Sequence, residues 1–170
     1  MRTPALAVVI ATTCVELAQA QARPDFSGEW TRVDSTEQRS VAAVGDASFR
    51  VGNMGSGWGS PLTLRQQGGE LVVEFAHFGT YDLQPRLRYV YSIDGSESRN
   101  AVMIGHAESV LRSRATWRDS TLVITAIYPG PERGTTEVRT ALTLESPTSL
   151  LVETTRGGSA VVTRTRYRKG

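Results

Sequence analysis

The sequence predicts an all-β protein, an antiparallel up-and-down meander of about eight to ten strands. Apolar and polar residues alternate along many short segments, as in strands that bury one face. These segments recur about every ten residues, separated by glycine, proline and aspartate turns. No helical pattern is longer than about two turns. Closure into a barrel is favoured because it removes exposed sheet edges, and a β-sandwich is the alternative.

Composition limits the size and the partners of this protein. The chain has 170 residues, which suits one domain with its own core. Lys+Arg number 19 and Asp+Glu 17, and Lys169 is the single lysine. An arginine bias suits carboxylate or phosphate partners, although it also follows from an arginine-biased genome. Because a nucleic-acid binder would carry more lysine and a larger positive charge, no nucleic-acid partner is expected.

The first 22 residues have the pattern of a secretory signal peptide. Residues 5–15 are its apolar core, and two small-x-small cleavage sites follow. Cleavage would remove Cys14, the only cysteine, and leave residues 23–170 as a single domain without a disulfide. A retained N-terminal membrane anchor is the alternative, since about 17–25 apolar residues can span a bilayer. We therefore expect a periplasmic or secreted protein, membrane-associated if the leader is kept.

The first predicted strand covers residues 27–33, and the least regular part of the chain, residues 34–60, follows it. The glycine-rich stretch 52–59 is not a phosphate-binding loop, because no Gly-Lys-Ser/Thr ends it. It contains Met54 and Trp58, which are candidate partner-binding residues. The alternatives are a lid over a barrel mouth and a loop packed onto the core.

Beyond residue 61 the chain alternates between strands and tight turns. Strands are predicted over residues 62–66, 71–78, 87–93, 101–105, 110–118, 122–127, 138–144, 150–155 and 160–168. The turn signals between them include Gly68-Gly69, Asp94-Gly95, Asp119-Ser120, Ser146-Pro147-Thr148 and Gly157-Gly158.

The stretch from Asp25 to Trp30 opens the first strand. Phe26, Gly28 and Trp30 share one parity and therefore point to one side of a strand. Two aromatic rings around a glycine suit the closed end of a small barrel, where the rings fill the floor and the glycine admits a close neighbour.

These residues also carry a family resemblance. Asp25-Phe26-Ser27-Gly28-Glu29-Trp30 resembles the opening of small bacterial secreted domains with a "DFSGxW" signature, and Gly28-x-Trp30 is similar to the Gly-x-Trp of lipocalin-type barrels. The resemblance implies a lipocalin-like barrel whose first-strand Trp is covered by a basic side chain of the last strand. Arg166 is the expected residue, with Arg164 and Arg168 as alternatives.

Catalytic and metal-binding patterns are sparse. His77 and His106 are the only histidines, and neither has a visible nucleophile or acid partner in the sequence. No spacing of histidine, cysteine and carboxylate residues fits a metal site. We therefore predict no catalytic residue, no metal and no cofactor.

Two sets of residues are candidates for binding. Tyr89, Tyr91, His77 and Trp117 would line a pocket for a small apolar ligand, since barrels of about eight strands can hold one, or they pack the core. The second set is a group of arginines that share parity on one strand: Arg112, Arg114 and Arg118. Arg164, Arg166 and Arg168 share parity on the last strand and would join them. They would form a basic wall for an acidic protein surface or for phospholipid headgroups.

Three functions remain open at this point. The favoured one is a non-enzymatic exported interaction module, an extrinsic or accessory subunit that docks on a protein or a membrane complex. The first alternative is a lipocalin-like carrier of a small apolar ligand. The second is a barrel isomerase or cyclase that uses His77 or His106 as acid or base.

Overall fold

A computed structural model describes residues 23–33, 58–76, 86–104, 107–129, 134–157 and 161–170. The all-β prediction is confirmed: ten antiparallel strands form one nearly closed, barrel-shaped sheet, and the described residues contain no helix. No described segment is therefore a helix long and apolar enough to span a membrane. The strands are β1 (Gly28–Arg32), β2 (Leu62–Gln67), β3 (Glu70–Ala76), β4 (Arg86–Ser92), β5 (Glu97–Ile104), β6 (Ala107–Arg118), β7 (Thr121–Pro129), β8 (Thr135–Ser146), β9 (Ser149–Arg156) and β10 (Val162–Lys169).

Sequence neighbours are spatial neighbours almost everywhere in the sheet. The strand order is β4-β3-β2-β1-β10-β9-β8-β7-β6-β5, so the meander runs around the barrel without a crossover. The predicted meeting of the first and last strands is confirmed, because β1 pairs with both β2 and β10. The irregular stretch between β1 and β2 does not break the order, since the two strands are still paired.

Four tight hairpins lie at one end of the barrel, which we call the closed end. They follow the even-numbered strands β2, β4, β6 and β8. Gly68 and Gly69 have φ values of 62° and 84°, the positive pair that a two-residue hairpin with native twist requires. The odd-numbered strands leave the barrel at the opposite end, and the connections there are largely outside the described residues.

The inner face of the sheet forms one continuous core. Trp30, Phe26 and Tyr167 are its largest side chains without solvent exposure. Leucine, isoleucine and valine from nearly every strand complete the cluster. Burying each such side chain contributes about 1.5–3 kcal/mol, so the alternating apolar positions that predicted the strands also fix which face points inward.

The barrel closes between β4 and β5 by side-chain rather than backbone hydrogen bonds. These strands occupy the two ends of the strand order, and no backbone ladder joins their described residues. Asn100 Oδ1 accepts from the Val90 amide at 2.7 Å, and Asn100 Nδ2 donates to the Val90 carbonyl oxygen at 3.0 Å. Ser98 Oγ accepts from the Ser92 amide at 2.7 Å. A carboxamide carries one donor and one acceptor side by side, so Asn100 reproduces the peptide group that a paired strand would offer.

Trp30 packs at the closed end where the first strand pairs with the last, as the opening motif predicts. Its indole is fully buried and donates from Nε1 to the Phe26 carbonyl oxygen at 3.0 Å. Lys169 is its register partner on β10, and Lys169 Nζ lies 5.5 Å from the Trp30 ring centroid, within cation–π range. Gly28 makes room for this lysine, because a Cβ there would lie 2.4 Å from Lys169 Cε.

The prediction that Arg166 covers Trp30 is wrong, and strand parity explains why. Thr165 and Tyr167 are buried, so the odd-numbered residues of β10 point inward. Lys169 is the next residue of this inward-facing row and lies at the closed end. Arg166 faces outward instead, and its Nε pairs with Glu145 Oε2 at 3.1 Å. Arg164 and Arg168 share this outward parity and are excluded for the same reason.

Candidate functional site: an outward basic face

The barrel interior is filled with aromatic side chains. Tyr89 and Tyr91 are 5% and 2% exposed and stack at 6.3 Å between ring centroids, and Phe75 stacks on Tyr89 at 6.0 Å. A residual cavity of about 20 Å³ borders Tyr91, Tyr128 and neighbouring core residues. One water needs roughly 10–15 Å³ of such space, so this cavity has room for a water molecule and not for a small apolar ligand.

Burial also keeps the interior tyrosines neutral. It raises the pKa of Tyr91 well above its usual value, and the nearby Tyr128 and Tyr89 add to the shift. Burial likewise raises the pKa of Tyr89, Tyr128 and Tyr167. A phenol whose pKa is raised does not ionise near neutral pH and is a poor general base.

Two tryptophans that the sequence offered for binding have structural contacts. Trp58 is only 4% exposed, and its carbonyl oxygen accepts a hydrogen bond from the Tyr167 hydroxyl. Trp58 itself packs onto the core, as one of the alternatives expects, and little of its side chain is accessible to a partner. Met54, predicted with it, lies outside the described residues.

Trp117 lies against Phe26 rather than on the interior cavity. The two rings stack at 5.7 Å with planes 9° apart, and Arg23 Cζ lies 5.5 Å from the Trp117 ring centroid. The predicted ligand pocket of Tyr89, Tyr91 and Trp117 is therefore not assembled as a cavity by these residues. His77, the fourth member of that set, and His106 lie outside the described residues.

The three predicted arginines of β6 do lie together on the outer surface. Arg112, Arg114 and Arg118 are exposed, while Leu111, Ser113 and Ala115 between and beside them point inward and are buried. The neighbouring strands add further charged and apolar groups through their register. We call this surface the basic face; its members are Glu97, Arg99, Val110, Arg112, Arg114, Arg118 and Ile127.

Charges on the basic face are only partly balanced. Arg99 Nε pairs with Glu97 Oε1 at 2.8 Å, and Arg114 donates to the Gly95 carbonyl oxygen at 3.1 Å. Arg99 lowers the pKa of Glu97, with smaller contributions from Arg112 and Arg114. Within the described parts of the chain, Arg112 and Arg118 make no ion pair with a carboxylate.

Several arginines elsewhere on the outer surface have carboxylate partners. Arg65 and Arg88 flank Glu74 at 3.1 and 3.3 Å, and Arg164 pairs with Glu153 at 2.8 Å. The basic face thus differs from these strands in carrying four arginines against one glutamate. It also presents two exposed apolar side chains, Val110 at 55% and Ile127 at 41%.

Sequence reasoning missed Glu97, Arg99, Val110 and Ile127. Val110 shares parity with the β6 arginines on the same strand. Glu97 and Arg99 lie before the predicted strand 101–105, and which residue of β5 or β7 lies opposite each arginine depends on the register. Arg99 and Ile127 are both register partners of Arg112, on opposite sides of it.

Metal chemistry has no candidate in the described residues, where no three histidine, cysteine or carboxylate side chains cluster. No protein-family model matches the chain, and no curated protein matches it either.

Proposed function

We propose that this protein is a non-enzymatic, exported interaction module that docks on the acidic surface of a partner protein through its basic face. The observation that carries the proposal is that Arg112 and Arg118 have no carboxylate partner in the described structure, and that Arg112 lies beside exposed Ile127 on β7 and two residues from exposed Val110 on β6. Arginine binds carboxylates through two parallel hydrogen bonds, which gives such a face a preferred chemistry.

Charge and apolar surface act at different stages of docking. Exposed arginines steer an acidic partner during encounter and set the salt dependence of association. Exposed aliphatic groups then lose water on contact and slow dissociation. A flat strand face of mixed arginine and aliphatic residues suits a protein partner, because interface cores are enriched in arginine and depleted of lysine.

The interior favours an interaction module over a carrier. The cavity of about 20 Å³ leaves no space for a small apolar molecule among the described residues. The same proposal includes an extrinsic subunit of a membrane complex. The predicted leader would direct the protein out of the cytoplasm, and docking on such a complex would use only the outer surface of the barrel.

The test compares two triple variants with equal changes of charge. Arg112→Gln/Arg114→Gln/Arg118→Gln neutralises the basic face, and Arg164→Gln/Arg166→Gln/Arg168→Gln neutralises the outward row of β10. Binding of a short labelled poly-glutamate peptide is measured by fluorescence anisotropy at low and high salt, and the native partner is sought by native mass spectrometry of complexes from the protein's own host.

We expect the basic-face variant to lose about tenfold in peptide affinity at low salt, since three exposed charge contacts each contribute modestly. The difference from wild type shrinks at high salt because exposed charges are screened. The β10 variant should lose much less. Equal losses in both variants would attribute binding to net charge alone, and unchanged affinity in the basic-face variant would refute the proposal.

A further inference from the structure

An open groove crosses the basic face. It has a volume of about 180 Å³ and is lined by Glu97, Arg112, Ser113, Arg114, Thr125 and Ile127. An engineered cavity of about 150 Å³ is large enough to bind benzene. The groove has a similar volume but is open to solvent, so it would cover one side of an aromatic ring or of a branched aliphatic side chain.

The lining of the groove combines two chemistries. Ile127 is exposed and is the register partner of Arg112 across the β6–β7 pair, so an apolar group and a guanidinium lie at the same height on adjacent strands. Arg114 is the register partner of Glu97 on the other side of β6. A ligand in the groove therefore meets an aliphatic surface at Ile127 and cationic groups beside it.

Glu97 already occupies the position of an acidic ligand. Its carboxylate is held by Arg99 at 2.8 Å, and the positive field of Arg112 and Arg114 also reaches it. An incoming carboxylate must therefore share these arginines with Glu97. This gives a charge effect of known sign, because removal of the Glu97 charge leaves more unbalanced arginine for the ligand.

We propose that this groove receives one apolar side chain from a partner segment in which a carboxylate is adjacent to that side chain. The proposal rests on the proposed function and specifies the partner's recognition element. The apolar side chain packs against Ile127, and the carboxylate binds Arg112 or Arg114.

Simpler ligands fit the groove less well. A purely acidic segment would leave Ile127 in contact with water or with charged groups, without the gain from apolar burial. A purely apolar segment would cover the arginines without giving them a partner, which is costly for a charged group. Only a segment with both features satisfies both parts of the lining.

The test uses small carboxylates and two-dimensional NMR titration of isotope-labelled protein. N-acetyl-phenylalanine offers an aromatic ring and a carboxylate, acetate offers the carboxylate alone, and N-acetyl-phenylalanine amide offers the ring alone. We expect N-acetyl-phenylalanine to bind most tightly and to shift the amides of Arg112, Ser113, Arg114, Thr125 and Ile127. Weak, scattered shifts with all three probes would overturn the proposal.

Two substitutions have closely matched controls. Ile127→Ser should weaken N-acetyl-phenylalanine binding about fivefold, as expected for loss of one or two methylene contacts, whereas Val162→Ser, at a similarly exposed valine of β10, should not. Glu97→Gln should strengthen binding about threefold. Its control is Glu153→Gln, because Glu153 is also paired with an arginine Nε at 2.8 Å and has nearly the same side-chain exposure, 33% against 31%.

The outcomes of these experiments distinguish a failure of the groove proposal from a failure of the proposed function. If poly-glutamate binding depends on the basic-face arginines but Ile127→Ser changes nothing, the groove proposal fails and the proposed function stands. If N-acetyl-phenylalanine fills the groove but poly-glutamate binding is indifferent to those arginines, docking of an acidic protein is refuted. Weakening by Glu97→Gln would refute the shared-arginine argument.

Discussion

Gly28→Ala tests the packing of the first strand against the last at the closed end of the barrel. Gly28 has a φ of 147°, in the region that side-chain-bearing residues rarely adopt. An added Cβ would also lie 2.4 Å from Lys169 Cε, so the lysine side chain must move away. Moving it removes the amine from its place 5.5 Å from the Trp30 ring centroid. One methyl group thus introduces two separate penalties.

The two penalties have different sizes and can be separated. Backbone strain at a positive φ costs about 1–3 kcal/mol, and a lost cation–π contact costs about 0.5–2 kcal/mol. Gly28→Ala should therefore lower the free energy of unfolding by about 1.5–5 kcal/mol. In a Lys169→Ala background only the strain remains, about 1–3 kcal/mol, because nothing is left to displace.

Urea unfolding followed by far-ultraviolet circular dichroism measures both effects at a fixed pH. Gly68→Ala is the control for strain alone, since Gly68 has a φ of 62° and nothing lies within 4 Å of a Cβ there. Its effect should be the same with and without Lys169. If Gly28→Ala costs equal amounts in the two backgrounds, Lys169 does not occupy the space above Gly28, and the description of the closure is incorrect.

Three further predictions concern the seam, the last strand and the interior. Asn100→Ala leaves the Val90 amide and carbonyl without their partner, so it should cost about 2–5 kcal/mol and speed hydrogen exchange at Val90; unchanged exchange would mean that Asn100 does not hold the seam. Arg166→Ala and Trp30→Ala should be additive in the free energy of unfolding within about 0.5 kcal/mol, because the two side chains do not touch, and a coupling above about 1 kcal/mol would contradict this. Tyrosine ionisation should leave the free energy of unfolding unchanged below about pH 10 and lower it as the pH rises further. The decrease should reach up to about 1.4 kcal/mol per pH unit for each buried tyrosine, because the unfolded chain then binds fewer protons than the native one. Phenolate absorbance and circular dichroism during alkaline titration check this, and early, non-cooperative ionisation of all tyrosines would refute it. The tyrosines concerned are Tyr89, Tyr91, Tyr128 and Tyr167.

Local patterns were sufficient for most of the fold. Period-2 alternation predicted the strands because a strand half buried in a sheet must place its apolar residues on every second position. Turn chemistry predicted the hairpins at Gly68-Gly69 and Asp119-Ser120, where Gly68, Gly69 and Asp119 adopt positive φ. Shared parity also predicted that Arg112, Arg114 and Arg118 lie on one face, because parity is a property of a single strand.

The errors in the sequence interpretation arose where two strands must be compared. Lys169 rather than Arg166 covers Trp30, because the odd-numbered residues of β10 point inward and the register of β10 against β1 places Lys169 opposite Trp30. The sequence predicts Trp58 and Trp117 as binding residues, because the local pattern does not show whether an aromatic residue in a loop or near a turn is exposed. Both lie against the core once the barrel closes.

The sequence by itself determined the strands, the hairpins and the two faces of each strand, because those follow from interactions between residues close in the chain. Only the tertiary structure decided how distant strands face one another. It placed Lys169 over Trp30, gave Asn100 the role of a missing peptide group between β4 and β5, and brought Glu97 and Ile127 to either side of the β6 arginines. These pairings depend on the register and stagger of a closed sheet, which all ten strands fix together.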